Sequence, residues 1–282
     1  MTNRILLKRY ITNQLKVFLL EIFERIRLYY KALLCKVNQK PIFIIGNQKS
    51  GTTAIAALLA KMTDLSVTLD LVEEIRVPKF NYVYKKELPF SYLIRRNKID
   101  FSRDIIKEPN LTFFYEQLSS YFKQAKFIFI VRDPRDNIRS MLNRWNIPGN
   151  LEGIEAGHLA KISPARMLVL DNRWLGVDGG NYIEVLAKRW NFFADIFLNH
   201  AEETVLVRYE DFVKDKIGTI ENLTQQLGLK KTNDISEKVD FPFQPPGDRT
   251  ISWQDFYGEK NLKRIEQICK EKMLAFGYST NE

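Results

Sequence analysis

The 282 residues, 45% hydrophobic, suffice for one large α/β domain or two small ones. Two cysteines, Cys35 and Cys269, and two histidines, His158 and His200, exclude a disulfide framework and a His-rich metal site, fit a reducing compartment, and leave a carboxylate as the expected general base. Residues 1–40 hold nine Lys/Arg against two Glu, so only +2 of the net charge of +9 falls on the other 242 residues, which argues against nucleic acid as a partner of the main domain.

Residues 1–40 read as a basic amphipathic helical extension, with Leu15, Phe18, Leu19, Ile22, Phe23, Ile26 and Leu33 at helical spacing. Charges interrupt every apolar run, so neither a membrane span nor a cleavable signal is expected. A cytoplasmic chain follows. Residues 1–36 then lie on anionic lipid as a peripheral contact, or pack on their own domain or a partner. Oligomeric state is left open.

Residues 41–282 read as a single α/β domain with a mainly parallel central sheet flanked by helices. Ile42 to Ile45 is a short buried strand, Gly46 to Gly51 a polar turn, and Thr52 onward a helix. Strand, glycine loop and helix start together make an anion site, because free N–H groups and the helix dipole point above the loop. Lys49 and the hydroxyls of Ser50, Thr52 and Thr53 add charge and donors. The loop is P-loop-like without being a nucleotide P-loop, since its lysine precedes the second glycine.

Val67 to Val72 reads as the next strand, ending in Glu73-Glu74-Ile75-Arg76. Residues 79–100 are aromatic and basic, and read as an acceptor wall or an irregular helical connection. Ile105 to Pro109 is a strand stopped by proline, and Thr112 to Phe122 a helix. Lys126 to Val131 is the clearest strand, a continuous apolar run of the kind found inside parallel sheets. A helix through Ser140 to Trp145 follows, with Asp133 as its cap and Pro134 in its first turn. Arg132 therefore stands at the C-terminal edge of a central strand, where open α/β sheets bind ligands, and Ser140 follows about two turns into the helix.

Residues 146–181 read as a long, partly helical insertion of the lid or binding-loop kind. Tyr182 to Asn199 is an amphipathic helix, Thr204 to Arg208 a strand, Ile217 to Leu227 a helix, Phe241 to Thr250 a loop, and Leu262 to Phe276 the last helix. Tyr182 and Trp190 read as helix core, Arg208 as structural, and Arg249 as a solvated loop arginine or one that reaches the anion site from the C-terminal loop.

Gln48-Lys49-Ser50-Gly51-Thr52-Thr53 and Arg132-Asp133-Pro134-Arg135-Asp136-Asn137-Ile138-Arg139-Ser140 together resemble the sulfotransferases that use 3′-phosphoadenosine 5′-phosphosulfate (PAPS). Val207-Arg208-Tyr209-Glu210-Asp211-Phe212 and the ending with Trp253, Ile268, Cys269, Met273 and Gly277-Tyr278 are similar to further stretches of that superfamily. The resemblance runs from about Pro41 to Tyr278. Glu73-Glu74-Ile75-Arg76 and Lys107-Glu108-Pro109 look closest to protein-tyrosine sulfotransferases and related bacterial enzymes, although Lys49 stands where the tyrosine enzymes carry arginine.

The resemblance implies sulfuryl transfer from PAPS to a hydroxyl acceptor of sugar or tyrosine type, leaving adenosine 3′,5′-bisphosphate (PAP), with no metal. It implies that residues 49–53, with Gln48, hold the 5′-phosphate and that Arg132 and Ser140 bind the 3′-phosphate. Lys49 then stabilises the bridging oxygen, Lys107 the sulfuryl oxygens, and Glu73, or Glu74 in its place, takes the acceptor proton. A P-loop nucleotide kinase and a non-catalytic scaffold of the same fold are the alternatives.

Overall fold

A computed structural model describes residue 27 and residues 30–243 and 250–280. Most of the expected helical extension, and Arg249, lie outside the described residues; residues 30–34 are helical, and Asn38 N–H donates to the Phe101 carbonyl at 2.8 Å.

The chain runs β1 (Ile42–Gly46), α1 (Thr52–Thr63), β2 (Val67–Thr68), α2 (Val72–Arg76), α3 (Phe80–Tyr84), α4 (Phe90–Arg96), β3 (Ile105–Lys107), α5 (Tyr115–Tyr121) and β4 (Lys126–Val131). It continues through α6 (Pro134–Trp145), α7 (Ala156–Leu159), α8 (Pro164–Leu170), α9 (Tyr182–Asn199), β5 (Thr204–Arg208), α10 (Tyr209–Lys214), α11 (Lys216–Gln226) and α12 (Trp253–Ala275). The five strands pair in parallel in the order β2-β3-β1-β4-β5. The α/β class and the parallel sheet are as the strand–helix alternation predicts.

Side chains of a strand alternate between faces, so β1 and β4 each feed two cores. Phe43, Ile45, Phe127, Phe129 and Val131 pack with α5, α6, α9 and α12, whereas Ile42, Ile44, Ile128 and Ile130 pack with α1 and α11. Helix α1 therefore leaves β1 on one face and α6 leaves β4 on the other. The crevice between these neighbouring strand ends is the switch point at which open α/β sheets bind ligands.

Three expected elements differ. The strand expected over Val67 to Val72 stops at Thr68, because the backbone from Leu71 onward bonds within α2: Glu74 N–H donates to the Leu71 carbonyl and Val77 N–H to that of Glu73. Glu73 and Glu74 thus lie on a short helix, not in a turn after a strand. The helix expected from Thr112 starts earlier, as a 3₁₀ stretch over Pro109–Phe114 capped by the Glu108 side chain, before α5. The last helix begins at Trp253, not Leu262, with the Ser252 hydroxyl as its cap; a kink at Gly258, φ +66°, breaks the apolar period that marks the later part. Residues 79–100 form the helical connection α3–α4.

Candidate active site

A cavity of about 770 Å³ lies along the C-terminal edge of the sheet. Gln48, Lys49, Gly51, Thr52 and Thr53 enter it from the exit of β1, and Lys107, Glu108 and Asn110 from the exit of β3. Arg132, Ser140 and Trp145 come from β4 and α6. Asp70, Glu74 and Ile75 close the β2 end, and Tyr209 and Phe212 the β5 end.

The loop after β1 is shaped by its own backbone. Gly46 (φ +124°) passes so close to β4 that a Cβ would stand 2.2 Å from the Ile130 carbonyl oxygen. Gly51 has φ +87°, and a Cβ there would meet the Tyr209 ring at 2.4 Å. Between them Lys49 also sits at φ +66°, which costs a non-glycine residue about 1–2 kcal/mol. Tertiary bonds hold it there. Arg132 Nη1 donates to the Lys49 carbonyl at 2.9 Å, and Asn137 Nδ2 donates to the Gln48 carbonyl at 2.7 Å. The Arg132 guanidinium also lies over the Tyr209 ring, 4.6 Å from its centroid, while its own carbonyl accepts from Trp190 Nε1 at 2.9 Å.

The Arg208-Tyr209-Glu210 stretch fastens this arrangement. Glu210 accepts from Asp133 N–H at 3.0 Å and from the Tyr278 hydroxyl at 2.8 Å, so β5 and the chain end are tied to the turn after β4. Arg208 lies over the Tyr278 ring at 4.7 Å, in keeping with a structural role. Arg132 stands 4.0 Å from Asp136, a long ion pair beside its tighter bond to the loop.

Cations gather around the loop after β1. Burial first, then the nearby charges of Arg144, Arg132 and Lys107, pull the Lys49 ammonium down to about 8. At the β3 exit Lys107 Nζ donates to Asp70 Oδ1 at 2.6 Å. Glu108, one residue on, is buried, accepts from the N–H groups of Asn110 and Leu71, and is held above the usual carboxylate range by burial and by Asp70. Asp70 is the open member of this trio, its side chain 38% exposed against 4% for Lys107.

The sequence model of the family described as "Sulfotransferase domain" matches residues 39–243, the span that holds every residue lining the cavity. This chain belongs to the sulfotransferase family. A sulfotransferase of Mycobacterium avium has a similar fold at 13% identity and a TM-score of 0.53, covering 92% of this chain and 82% of its own. A mouse sulfotransferase complexed with PAP aligns over 85% of each chain at 19% identity and a TM-score of 0.49. One from Alicyclobacillus acidocaldarius covers 86% of this chain and 98% of its own at 15% identity and a TM-score of 0.48. No curated protein matches the sequence.

The sulfotransferase cavity gathers Gln48, Lys49, Gly51, Thr52, Thr53, Lys107, Arg132 and Ser140. Two expected site residues stand apart from it. Ser50 is buried beneath the loop and its hydroxyl accepts from Asn137 Nδ2 at 2.9 Å, so it braces the loop from below. The Glu73 side chain is 48% exposed and lies 3.5 Å from Arg76, on the outward side of α2. Glu74 lines the cavity but is fully engaged: its carboxylate accepts from Arg96, Asn97 and Lys79 N–H. Reading β2 through to Val72 hid Asp70, because a strand there leaves Asp70 one more alternating position. The actual signal was Leu69-Asp70-Leu71 between a two-residue strand and a helical Val72-Glu73-Glu74, a turn at the end of a short strand.

Among the described residues, no helix is long and apolar enough to cross a membrane.

Proposed function

We propose that the chain moves the sulfuryl group of PAPS to a hydroxyl acceptor. One observation supports this above the others: Lys49 and Arg132 reach one cavity from adjacent strand ends, joined by the bond from Arg132 to the Lys49 carbonyl. The donor set fits a two-phosphate nucleotide. The N–H groups at the start of α1, with Thr52 and Thr53, suit the 5′-phosphate, and Arg132 with Ser140 suits the 3′-phosphate. The positive-φ Gly51 lets the Tyr209 ring pack against the loop, and the apolar wall of Phe212, Val213 and Val239 at the β5 end suits a base.

PAPS supplies an activated sulfuryl group on a phosphate leaving group. Asp70 takes the proton from the acceptor hydroxyl as that oxygen bonds to sulfur. Lys107, paired with Asp70, neutralises the sulfuryl oxygens. Lys49 receives the charge that develops on the bridging oxygen as its bond to sulfur breaks, and PAP leaves. Catalysis is then positioning and charge stabilisation, as in phosphoryl transfer. In this reading the base role implied for Glu73 passes to Asp70, which lines the cavity beside Lys107 as Glu73 does not.

The acceptor end is walled by Ile75, Phe80, Trp145 and Val169. Such a wall suits a tyrosine-type hydroxyl on an apolar body better than a sugar, whose several hydroxyls each need a partner when buried. The decisive experiment has two steps. PAP, and not ATP with Mg²⁺, should raise the melting temperature, and label should then pass from PAPS to N-acetyltyrosinamide ahead of sugar acceptors. Stabilisation by ATP–Mg²⁺ alone would make the chain a phosphotransferase. Arg132→Ala should weaken PAP binding by about 10–150-fold, the equivalent of losing a charged hydrogen bond of ~1.5–3 kcal/mol. An unchanged calorimetric affinity would move the 3′-phosphate elsewhere.

A further inference from the structure

Helix α9 buries a charge where its neighbours bury apolar groups. Arg189 is 0% exposed, beside the core residue Trp190. Its guanidinium lies 4.7 Å from the centre of the Phe113 ring and 5.1 Å from that of Phe193. Its hydrogen bonds all end on side-chain amide oxygens. Nη1 donates to Asn172 at 2.7 Å, and Nη2 donates to Asn110 at 3.0 Å and Gln48 at 3.2 Å. Burial without a directly bonded carboxylate pulls the guanidinium down to about 9, with Glu108 opposing the fall. Burying a charge this way is expensive, and an apolar side chain of similar volume would often serve packing as well or better.

A guanidinium only donates, so the three amide oxygens it touches must face it. The amide NH₂ groups are then aimed elsewhere. Gln48 Nε2 donates to Asn110 Oδ1 at 2.9 Å, and Asn110 Nδ2 donates to Glu108 Oε1 at 3.1 Å. Asn172 Nδ2 donates to the carbonyl of Val169, on the cavity wall, at 2.7 Å. One cation thereby fixes the loop after β1, the exit of β3 and the insertion between α6 and α9. Both lysines assigned to the sulfuryl group are chain neighbours of this network, Lys49 of Gln48 and Lys107 of Glu108.

We infer that Arg189 is a positioning residue for sulfuryl transfer, orienting the Gln48 and Asn110 amides so that Lys49 and Lys107 face each other across the cavity. The inference rests on the sulfotransferase reading above. Of the groups assigned to the phosphates only Gln48 bonds to Arg189, and those at residues 51–53, Arg132 and Ser140 do not, so its loss should cost turnover far more than cofactor binding.

The test compares wild type, Arg189→Met, Arg189→Lys, Asn110→Ala and the Arg189→Met/Asn110→Ala double variant. The readouts are PAP affinity by calorimetry, melting temperature, and transfer of label from PAPS to N-acetyltyrosinamide or to water. Arg189→Met should lower the transfer rate by about 10²-fold, the loss a misplacement near 1 Å produces, with PAP affinity close to wild type and a melting temperature lowered only by the cost of the amide oxygens left without their donor. Arg189→Lys should recover part of the rate, because an ammonium restores the charge but not the planar fork. The double variant should be no slower than the slower single, because both changes break one network. Wild-type transfer in Arg189→Met, losses that multiply in the double variant, or a rate that falls only in step with PAP affinity and melting temperature would each overturn the inference. If Arg189→Met does not fold, Arg189→Lys with Asn110→Ala gives the same cycle: losses that do not multiply uphold the inference and multiplicative losses overturn it. A wild-type chain that binds no PAP, or transfers label to neither acceptor, overturns the sulfotransferase reading and this inference with it.

Discussion

Lys49→Ala should lower the rate of sulfuryl transfer by about 10²–10³-fold, the loss that follows removal of one donor aimed at developing transition-state charge. The residue sits where such a donor is needed, half-buried in the loop after β1, and its backbone is held at φ +66° by the bond from Arg132. Its environment also predicts a pH signature. In the free protein burial and neighbouring cations bring its ammonium down to about 8, so the charge is present at neutral pH and is lost as pH rises through that value. A bound phosphosulfate favours the charged form, so binding above pH 8 should take up a proton and weaken as pH rises. The profile of kcat/KM, which reports the free enzyme, should therefore carry an alkaline limb near 8. Lys49→Arg, which keeps a charge that does not titrate in this range, should remove that limb. Wild-type turnover in Lys49→Ala, or an alkaline limb that survives in Lys49→Arg, would take Lys49 out of the chemistry.

The parts of this fold that were legible in sequence are those dictated by local chemistry. Lys126 to Val131 is apolar on both faces because two cores meet there, and such a run has few readings other than a central parallel strand. Asp133-Pro134 announces a helix start by cap and fixed φ, and α6 begins where that rule puts it. The strand, loop and helix that carry Lys49, Thr52 and Thr53 were equally legible, since glycine, lysine and hydroxyl residues between a strand and a helix have a stereochemical reason to be together. The carboxylates were not. Glu73, Glu74, Asp70 and Glu108 are alike as letters, and only the bend after Thr68 decides which of them looks outward, which is sealed by Arg96, and which meets Lys107. Arg189 was hidden for the opposite reason. On an amphipathic helix an arginine reads as a solvated face, and its burial depends on amides 17 to 141 residues away in the chain.

Asp70→Asn should lower transfer by about 10²–10⁴-fold, the contribution typical of a positioned general base, while PAP affinity stays near wild type. The substitution keeps the shape of the side chain and removes only its charge and basicity. It also leaves the nearly buried Lys107 without its carboxylate partner 2.6 Å away, so loss of rate alone does not prove a base. The neighbouring Glu108 separates the two roles. Asp70 is one cause of the raised Glu108 carboxyl, and in Asp70→Asn that carboxyl should fall back toward its ordinary range. If Asp70 takes the acceptor proton, the residual activity of Asp70→Asn should lose the acid limb of the wild-type profile. If Glu108 takes it, Asp70→Asn should show the same acid limb moved to lower pH, whatever rate the unpaired Lys107 costs. The pH profile of this one variant thus assigns the base between Asp70, bonded to Lys107, and Glu108, the chain neighbour of that lysine.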